Sequence, residues 1–260
     1  MTQAGRASDI AARLRAAGSV FAEDEAALLV AEARTPEDLE SMIERRITGL
    51  PLEVIVGWAE FCGLRIAVEA GVFVPRRRTE VVVREAVAVG RTGAVVLDLC
   101  CGTGAVGAAI HAALGGVELY ASDVEPAAVR CARRNVEPLG GRVLEGDLYE
   151  PLPASLRGRV DLLVVNAPYV PTEAIALMPP EAREHEPHVT LDGGMDGVDI
   201  QRRVAAGAAE WLAPGGRLLI ETSREQAPLT VAAFREGGLT AEVRRADDVD
   251  GTVAIGVRAR

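Results

Sequence analysis

The stretch Ala94–Gly104 reads A-V-V-L-D-L-C-C-G-T-G. Six residues, Ala94–Leu99, form an apolar run broken only by Asp98, and the chain then turns through Cys100, Cys101, Gly102, Thr103 and Gly104 into an alanine-rich helix ending near Leu114. A short apolar run bounded by a glycine turn reads as a buried strand, and the helix behind it makes a strand–turn–helix unit. The pattern repeats downstream. Val117–Ser122 is a second strand ending in Asp123, followed by a helix over Pro126–Val136. Arg142–Glu145 is a short third strand ending at Asp147, and Val160–Val165 is a fourth. A helix over Asp199–Leu212 is stopped by Pro214-Gly215-Gly216 before a strand at Arg217–Thr222, and Ala227–Glu236 is helical again. Two closing strands, Ala241–Arg245 and Thr252–Arg258, flank an acidic turn. Alternation of this kind predicts an α/β fold with a mostly parallel sheet covered on both faces by helices, plus an antiparallel edge.

Ahead of this body, residues from Asp9 to about Gly49 read as helices. Thr35-Pro36-Glu37-Asp38 is a helix start: an N-cap Thr, Pro at the first helical position and an acid three residues after the cap. Some forty residues bury little surface alone, so this part is expected to lean on a larger body or a partner. Trp58–Phe61 and Leu64–Val68 straddle Cys62-Gly63 as a hairpin, and Gly71–Glu80, G-V-F-V-P-R-R-R-T-E, leads into a helix near Thr79. Arg77 and Arg78 read as a solvated basic loop. The expected division is a helical domain over 1–50, a linker with the hairpin over 51–72, and a catalytic domain over 73–260.

Composition narrows the function. The net charge is −10, which disfavours a broad phosphate-binding face and so direct nucleic-acid binding. Only 3% of residues are aromatic, so each one positioned near a polar turn is informative. Cys62, Cys100, Cys101 and Cys131 form no C-x-x-C pair and no zinc spacing, so no metal site is expected. The N-terminus lacks a secretion signal, and no apolar run reaches the roughly 18–20 residues of a membrane span. A cytoplasmic monomer with no membrane partner is the expectation.

Gly102, Gly104 and Gly107 spell G-x-G-x-x-G, which alone is a weak dinucleotide fingerprint. The acids favour a different ligand. Asp98 near the end of strand one suits a cationic group, such as the amino end of S-adenosylmethionine. Asp123 can accept two ribose hydroxyls, and Asp147 lies within reach of an adenine amino group. At the fourth strand end, Val164–Tyr169 reads V-V-N-A-P-Y. Asn166 brings an acceptor and a donor, Pro168 stiffens the turn, and Tyr169 adds an aromatic face; together they suit a planar polar group.

These residues together resemble the class I S-adenosylmethionine-dependent methyltransferases. More closely, they resemble the protein-(glutamine-N5) methyltransferases of the HemK/PrmC group, which modify peptide-chain release factors, and their ribosomal-protein-modifying relative. The resemblance extends through Pro51–Gly57, the P-R-R-R-T-E of Pro75–Glu80, Gly146–Leu152, Glu186–Gly197 and Pro214–Glu221. It implies a seven-stranded sheet behind a helical domain that meets the protein substrate. It also implies S-adenosylmethionine against Cys100–Gly104, Asp123, Leu148 and Asn166. The acceptor glutamine would be gripped by Asn166, Ala167, Pro168 and Tyr169 with Phe73 opposite. No strong general base is evident among His111, His185 and His188, so catalysis is expected to rest on positioning. The chain departs from the family pattern at Ala167 (N-P-P-Y becomes N-A-P-Y), at Arg77, at Leu148, and at Cys100 and Cys101, which are read as packing residues. Methylation of another NH2, on adenine N6 or a small molecule, and a binding module without turnover are the alternatives.

Overall fold

The computed structural model describes residues 3–178 and 188–260. Three helices open the chain: α1 (Gln3–Ala16), α2 (Ala22–Glu32) and α3 (Pro36–Ile47). The α3 cap forms as its sequence predicts, with the Thr35 hydroxyl accepting from the Asp38 N–H at 3.1 Å. The Asp38 carboxylate accepts one residue earlier than a capping box requires, from the Arg34 N–H at 2.9 Å. Ile10, Leu14, Leu29, Leu39, Met42 and Ile43 bury one another in a core of their own. Arg46 grips the buried Glu25 with two bonds of 2.8 and 2.9 Å.

A five-residue helix, α4 (Leu52–Val56), opens the segment expected to be linker; a single turn carries no apolar period to read. It leads into the hairpin β1 (Trp58–Phe61) and β2 (Leu64–Ala67). Phe61 and Ile66 from this hairpin are buried in the same core as Val82, Val96 and Ile110 of the α/β body.

The body comprises α5 (Glu80–Val89), β3 (Val95–Leu99), α6 (Ala105–Leu114), β4 (Glu118–Asp123), α7 (Pro126–Val136), β5 (Arg142–Glu145), β6 (Val160–Val165), α8 (Asp199–Trp211), β7 (Leu212–Glu221), α9 (Ala227–Glu236), β8 (Leu239–Ala246) and β9 (Gly251–Arg258). The seven strands lie in the order β5-β4-β3-β6-β7-β9-β8. The first five are mutually parallel, while β9 runs antiparallel to both β7 and β8. Pro214-Gly215-Gly216, expected to precede a strand, lies inside β7. The strand begins at Leu212 beside Val160, and a register shift between Val160 and Leu162 absorbs the extra residues.

From β3 the chain moves outward through β4 to β5, then returns to pair β6 on the other side of β3. This reversal opens a crevice at the carboxyl ends of the central strands, where sheets of this type bind ligands. Among the described residues, no helix is long and apolar enough to cross a membrane.

Candidate active site

A cavity of about 650 Å³ occupies that crevice, within the usual size range of small-ligand sites. Asp98, Cys100, Cys101, Gly102, Thr103, Asp123, Asp147, Leu148, Asn166, Ala167, Pro168, Tyr169 and Phe73 all line it. Every site residue singled out from sequence therefore converges on one space except Gly104, which sits just behind the wall.

The glycines have separate reasons. Gly104 has φ 76°, and a Cβ there would meet Val136 at 2.7 Å. Gly107 lets α6 approach β3: its N–H donates to Asp98 Oδ2 at 2.9 Å, and a Cβ would meet that oxygen at 3.1 Å and Leu119 at 2.9 Å. Asp98 is otherwise buried, only 2% exposed. Burial pushes its pKa up to about 8; the nearby Asp123 adds to this and the Gly107 N–H opposes it.

Asp123 is fixed by backbone donors, accepting from the Gly102 N–H at 2.8 Å and the Glu125 N–H at 2.9 Å. Burial raises its pKa, and those two bonds pull the other way. Asp147 is not a lone acceptor: Arg203 Nη2 meets it at 2.5 Å. Cys100 and Leu148, on the loops after β3 and β5, both hold left-handed backbone, with φ 53° and 49°. For residues carrying a Cβ this costs on the order of 1–3 kcal/mol each, and such strain clusters at ligand sites. Burial pushes the Cys100 and Cys101 thiols well up, so both stay protonated and serve packing rather than nucleophilic attack.

At the far end, the pairing Val165↔Ile220 places Asn166 beside Glu221, the last residue of β7. Glu221 is 2% exposed, and sequence reading assigned it no role. It accepts from the Tyr169 hydroxyl at 3.3 Å and from the Thr79 hydroxyl, and lies 3.5 Å from Arg78 Nε. Burial raises its pKa; the two hydroxyls and Arg78 oppose that rise. Thr79, its single proton turned to Glu221, accepts from Asn166 Nδ2 at 3.5 Å. That bond turns the Asn166 NH2 inward to the protein. The Asn166 carbonyl oxygen and the Ala167 carbonyl have no protein donor among the described residues. Gln226 Nε2 pins the Tyr169 carbonyl at 2.7 Å, holding the turn.

Arg78 is exposed, as read, but it also reaches the cavity. Its side chain is half exposed, and its guanidinium carbon lies 5.9 Å from the Tyr169 ring centroid. Arg77 is exposed as expected. His111 and His188 lie outside the cavity lining, and His185 lies outside the described residues. Among the described residues no group of His, Cys, Asp or Glu is arranged to hold a metal ion.

Residues 64–178 match the methyltransferase small domain family. A release factor glutamine methyltransferase from Geobacter sulfurreducens is 39% identical over 78% of this chain and 72% of that protein. The chain belongs to the release factor glutamine methyltransferase family. It is thereby a methyltransferase, of a family and fold that use S-adenosylmethionine. The similarity reaches a further acceptor type: a 4-amino-L-phenylalanine/4-methylamino-L-phenylalanine methyltransferase from Streptomyces pristinaespiralis is 37% identical over 75% of this chain and 69% of that protein. The fold is shared with a methyltransferase from Pyrococcus furiosus, at TM-score 0.58 and 16% identity, over 76% of this chain and 90% of that one.

Proposed function

We propose that the chain transfers a methyl group from S-adenosylmethionine to the side-chain amide nitrogen of a glutamine in a protein, of the kind a release factor or ribosomal protein presents. The observation that carries this reading is the Asn166–Tyr169 turn: two carbonyl acceptors without donors among the described residues, one fixed in orientation through Thr79, lining a cavity whose other end is acidic.

The residues suit the cofactor. Asp98, buried and reluctant to ionise alone, would receive its ammonium, Asp123 its ribose hydroxyls, and Leu148 would pack on its adenine, with Asp147 and its partner Arg203 at the edge. When bound, the cofactor supplies an electrophilic methyl on a sulfonium. An amide nitrogen is a weak nucleophile because its lone pair is delocalised into the carbonyl. The two acceptors, Asn166 Oδ1 and the Ala167 carbonyl, would each take one amide N–H and so aim the lone pair at the methyl. As the N–C bond formed and the sulfonium's S–CH3 bond broke to leave a neutral thioether, positive charge would grow on nitrogen; the same acceptors would stabilise it until one N–H proton passed to solvent. Tyr169 and Phe73 would hold the amide plane and exclude water. Ala167 keeps the carbonyl that a proline there would offer, so this chemistry survives the departure from N-P-P-Y.

The test is label transfer from methyl-labelled S-adenosylmethionine to purified release factors and ribosomal proteins, with the site mapped by mass spectrometry. A methylated glutamine dependent on Asn166 supports the reading; cofactor binding with no protein labelled refutes it. The Streptomyces relative, named for an amine-bearing amino acid, favours a second reading in which the acceptor is a small aryl or alkyl amine. Labelling of small amines in the same assay, with proteins unlabelled, would select it.

A further inference from the structure

The turn after β6 is gripped by a side chain that does not line the cavity. Gln226, the residue ahead of α9, is buried, and its Nε2 donates to two backbone carbonyls, those of Tyr169 at 2.7 Å and Asp196 at 3.1 Å. A carbonyl can only accept, so these partners decide which end of the amide is the NH2 and engage both of its protons. The root of the side chain is fixed as well. The Gln226 N–H donates to Ser223 Oγ at 3.1 Å, and the Gln226 carbonyl accepts from the Thr230 N–H at 3.0 Å in the first turn of α9.

The two carbonyls belong to different walls of the cavity. Tyr169 closes the turn that begins at Asn166, whereas Asp196 lies in the glycine-rich stretch Gly193–Gly197, just after the cavity-lining Leu191. Backbone bonds zip these walls together: the Val170 N–H donates to the Leu191 carbonyl at 3.0 Å, the Gly193 N–H to the Val170 carbonyl at 2.9 Å, and the Thr172 N–H to the Gly194 carbonyl at 3.0 Å. Gly197 admits the glutamine to this seam. Its φ is 78°, and a Cβ there would collide with both Gln226 Nε2 and the Tyr169 carbonyl oxygen. Tyr169 is thus held at two ends, its hydroxyl on Glu221 at 3.3 Å and its carbonyl on Gln226.

We infer that Gln226 is a positioning residue for methyl transfer: clamped between the Tyr169 and Asp196 carbonyls, it sets the Asn166–Tyr169 turn against the Leu191–Gly197 segment in the geometry that aims the acceptor nitrogen. The inference rests on the amide reading of that turn and adds the part of the chain that sets its geometry. Gln226 acts through Tyr169 and touches neither substrate. A misplacement of about 1 Å at reacting atoms can cost on the order of a hundredfold in rate. Loss of the clamp should therefore show in kcat, while the cofactor end of the cavity, built on β3, β4 and β5, keeps its shape.

The test compares the full-length wild type with Gln226→Ala and Gln226→Glu, using S-adenosylmethionine and a purified release factor as acceptor. Initial rates give kcat and KM, calorimetry gives cofactor affinity, and thermal melts at each pH keep every assay well below the unfolding transition. Gln226→Ala removes both donors, and its kcat should fall about ten- to hundredfold with cofactor affinity within about twofold. Gln226→Glu supplies a readout that a merely structural role would not move. As a carboxylate it faces two carbonyl oxygens, whereas the neutral acid donates one O–H. Its kcat relative to the wild type should therefore climb as pH is lowered from 9 to 6, while the Gln226→Ala ratio stays flat. A folded Gln226→Ala enzyme with kcat within about twofold of the wild type would overturn the inference and leave the amide reading intact. So would a cofactor affinity that falls by the same factor as kcat, since the residue would then support the cavity as a whole. If Gln226→Ala does not stay folded, Gln226→Glu decides alone: recovery at low pH supports the clamp, and a deficit independent of pH overturns it. A wild type that binds cofactor yet labels no amide removes the amide reading, and this inference with it.

Discussion

Asp98→Asn separates charge from shape at the cofactor end of the cavity. The carboxyl is buried, one oxygen accepts from the Gly107 N–H at 2.9 Å, and burial carries its pKa from the ordinary 3.8 to about 8. A group with that pKa holds its proton about nine times in ten at pH 7 and about one time in ten at pH 9. A ligand ammonium seated against it would favour the carboxylate and expel the proton. Cofactor binding by the wild type should therefore release about 0.9 more protons than binding by Asp98→Asn at pH 7, and about 0.1 more at pH 9. Affinity in the wild type should rise with pH, approaching tenfold per unit below pH 8, and flatten above it; the Asn variant should bind more weakly at pH 8. Stability of the free protein runs the other way. With the folded pKa raised above the unfolded one, the contribution is fully present below about pH 3.8 and is lost as pH rises through about 8. A shift of about four units corresponds to roughly 5–6 kcal/mol, an upper bound because buried sites relax and admit water. Free Asp98→Asn should therefore melt above the wild type at pH 8 while binding cofactor less well. Calorimetry in buffers of different ionisation enthalpy, across pH 6 to 9, reads the proton count, and thermal melts read the stability. Equal proton release from the two proteins would refute the assignment of Asp98 to a cationic ligand group.

Three further outcomes are expected. Asn166→Ala should lower kcat by about two to three orders of magnitude with cofactor affinity nearly unchanged, and near-wild-type turnover would rule out the amide grip. Glu221→Gln should lower kcat about tenfold, because the acceptor for the Tyr169 and Thr79 hydroxyls loses its charge, as steady-state kinetics would record. The Ala167 N–H has no acceptor among the described residues, so Ala167→Pro should retain activity and add about 0.4–1 kcal/mol in denaturant titration; an intact fold without activity would mean the turn differs from that of N-P-P-Y proteins.

Much of this was legible because strand-end chemistry is local. β6 spans the residues its apolar run marks out, β3 lies within one residue of its own, and the acids and Asn166 stand within two residues of strand carboxyl ends, so reading the runs located the cavity. Helices α7 and α9 match their expected limits because Pro or Gly punctuates them. Glu221 carried the same signal, a charged residue closing the apolar run Leu218–Ile220, but its partners lie on two other segments, Arg78–Thr79 and the turn at Tyr169, and only the fold brings them together. Arg78 is exposed as read, but its place on the cavity wall was not legible for a related reason. Its neighbours Tyr169 and Glu221 are distant in sequence, and a run of three arginines looks solvated until one is seen to face a ring. The left-handed backbone at Cys100 and Leu148 had no signal at all, since neither is the glycine that such φ values favour.

One side chain sets the rules for anyone grafting a new recognition module onto this scaffold. Asn135, on α7, accepts from the Ala67 N–H at 2.9 Å and donates to the Ala67 carbonyl at 3.0 Å and the Thr103 carbonyl at 2.8 Å. It thereby rivets the β1–β2 hairpin to the loop after β3, while Phe61 and Ile66 fill the interior beneath. A chimera spliced after the hairpin would carry away part of that interior and leave two of the three bonds without partners. A splice before Trp58, between α4 and the hairpin, keeps the rivet whole and exchanges only the helices ahead of it.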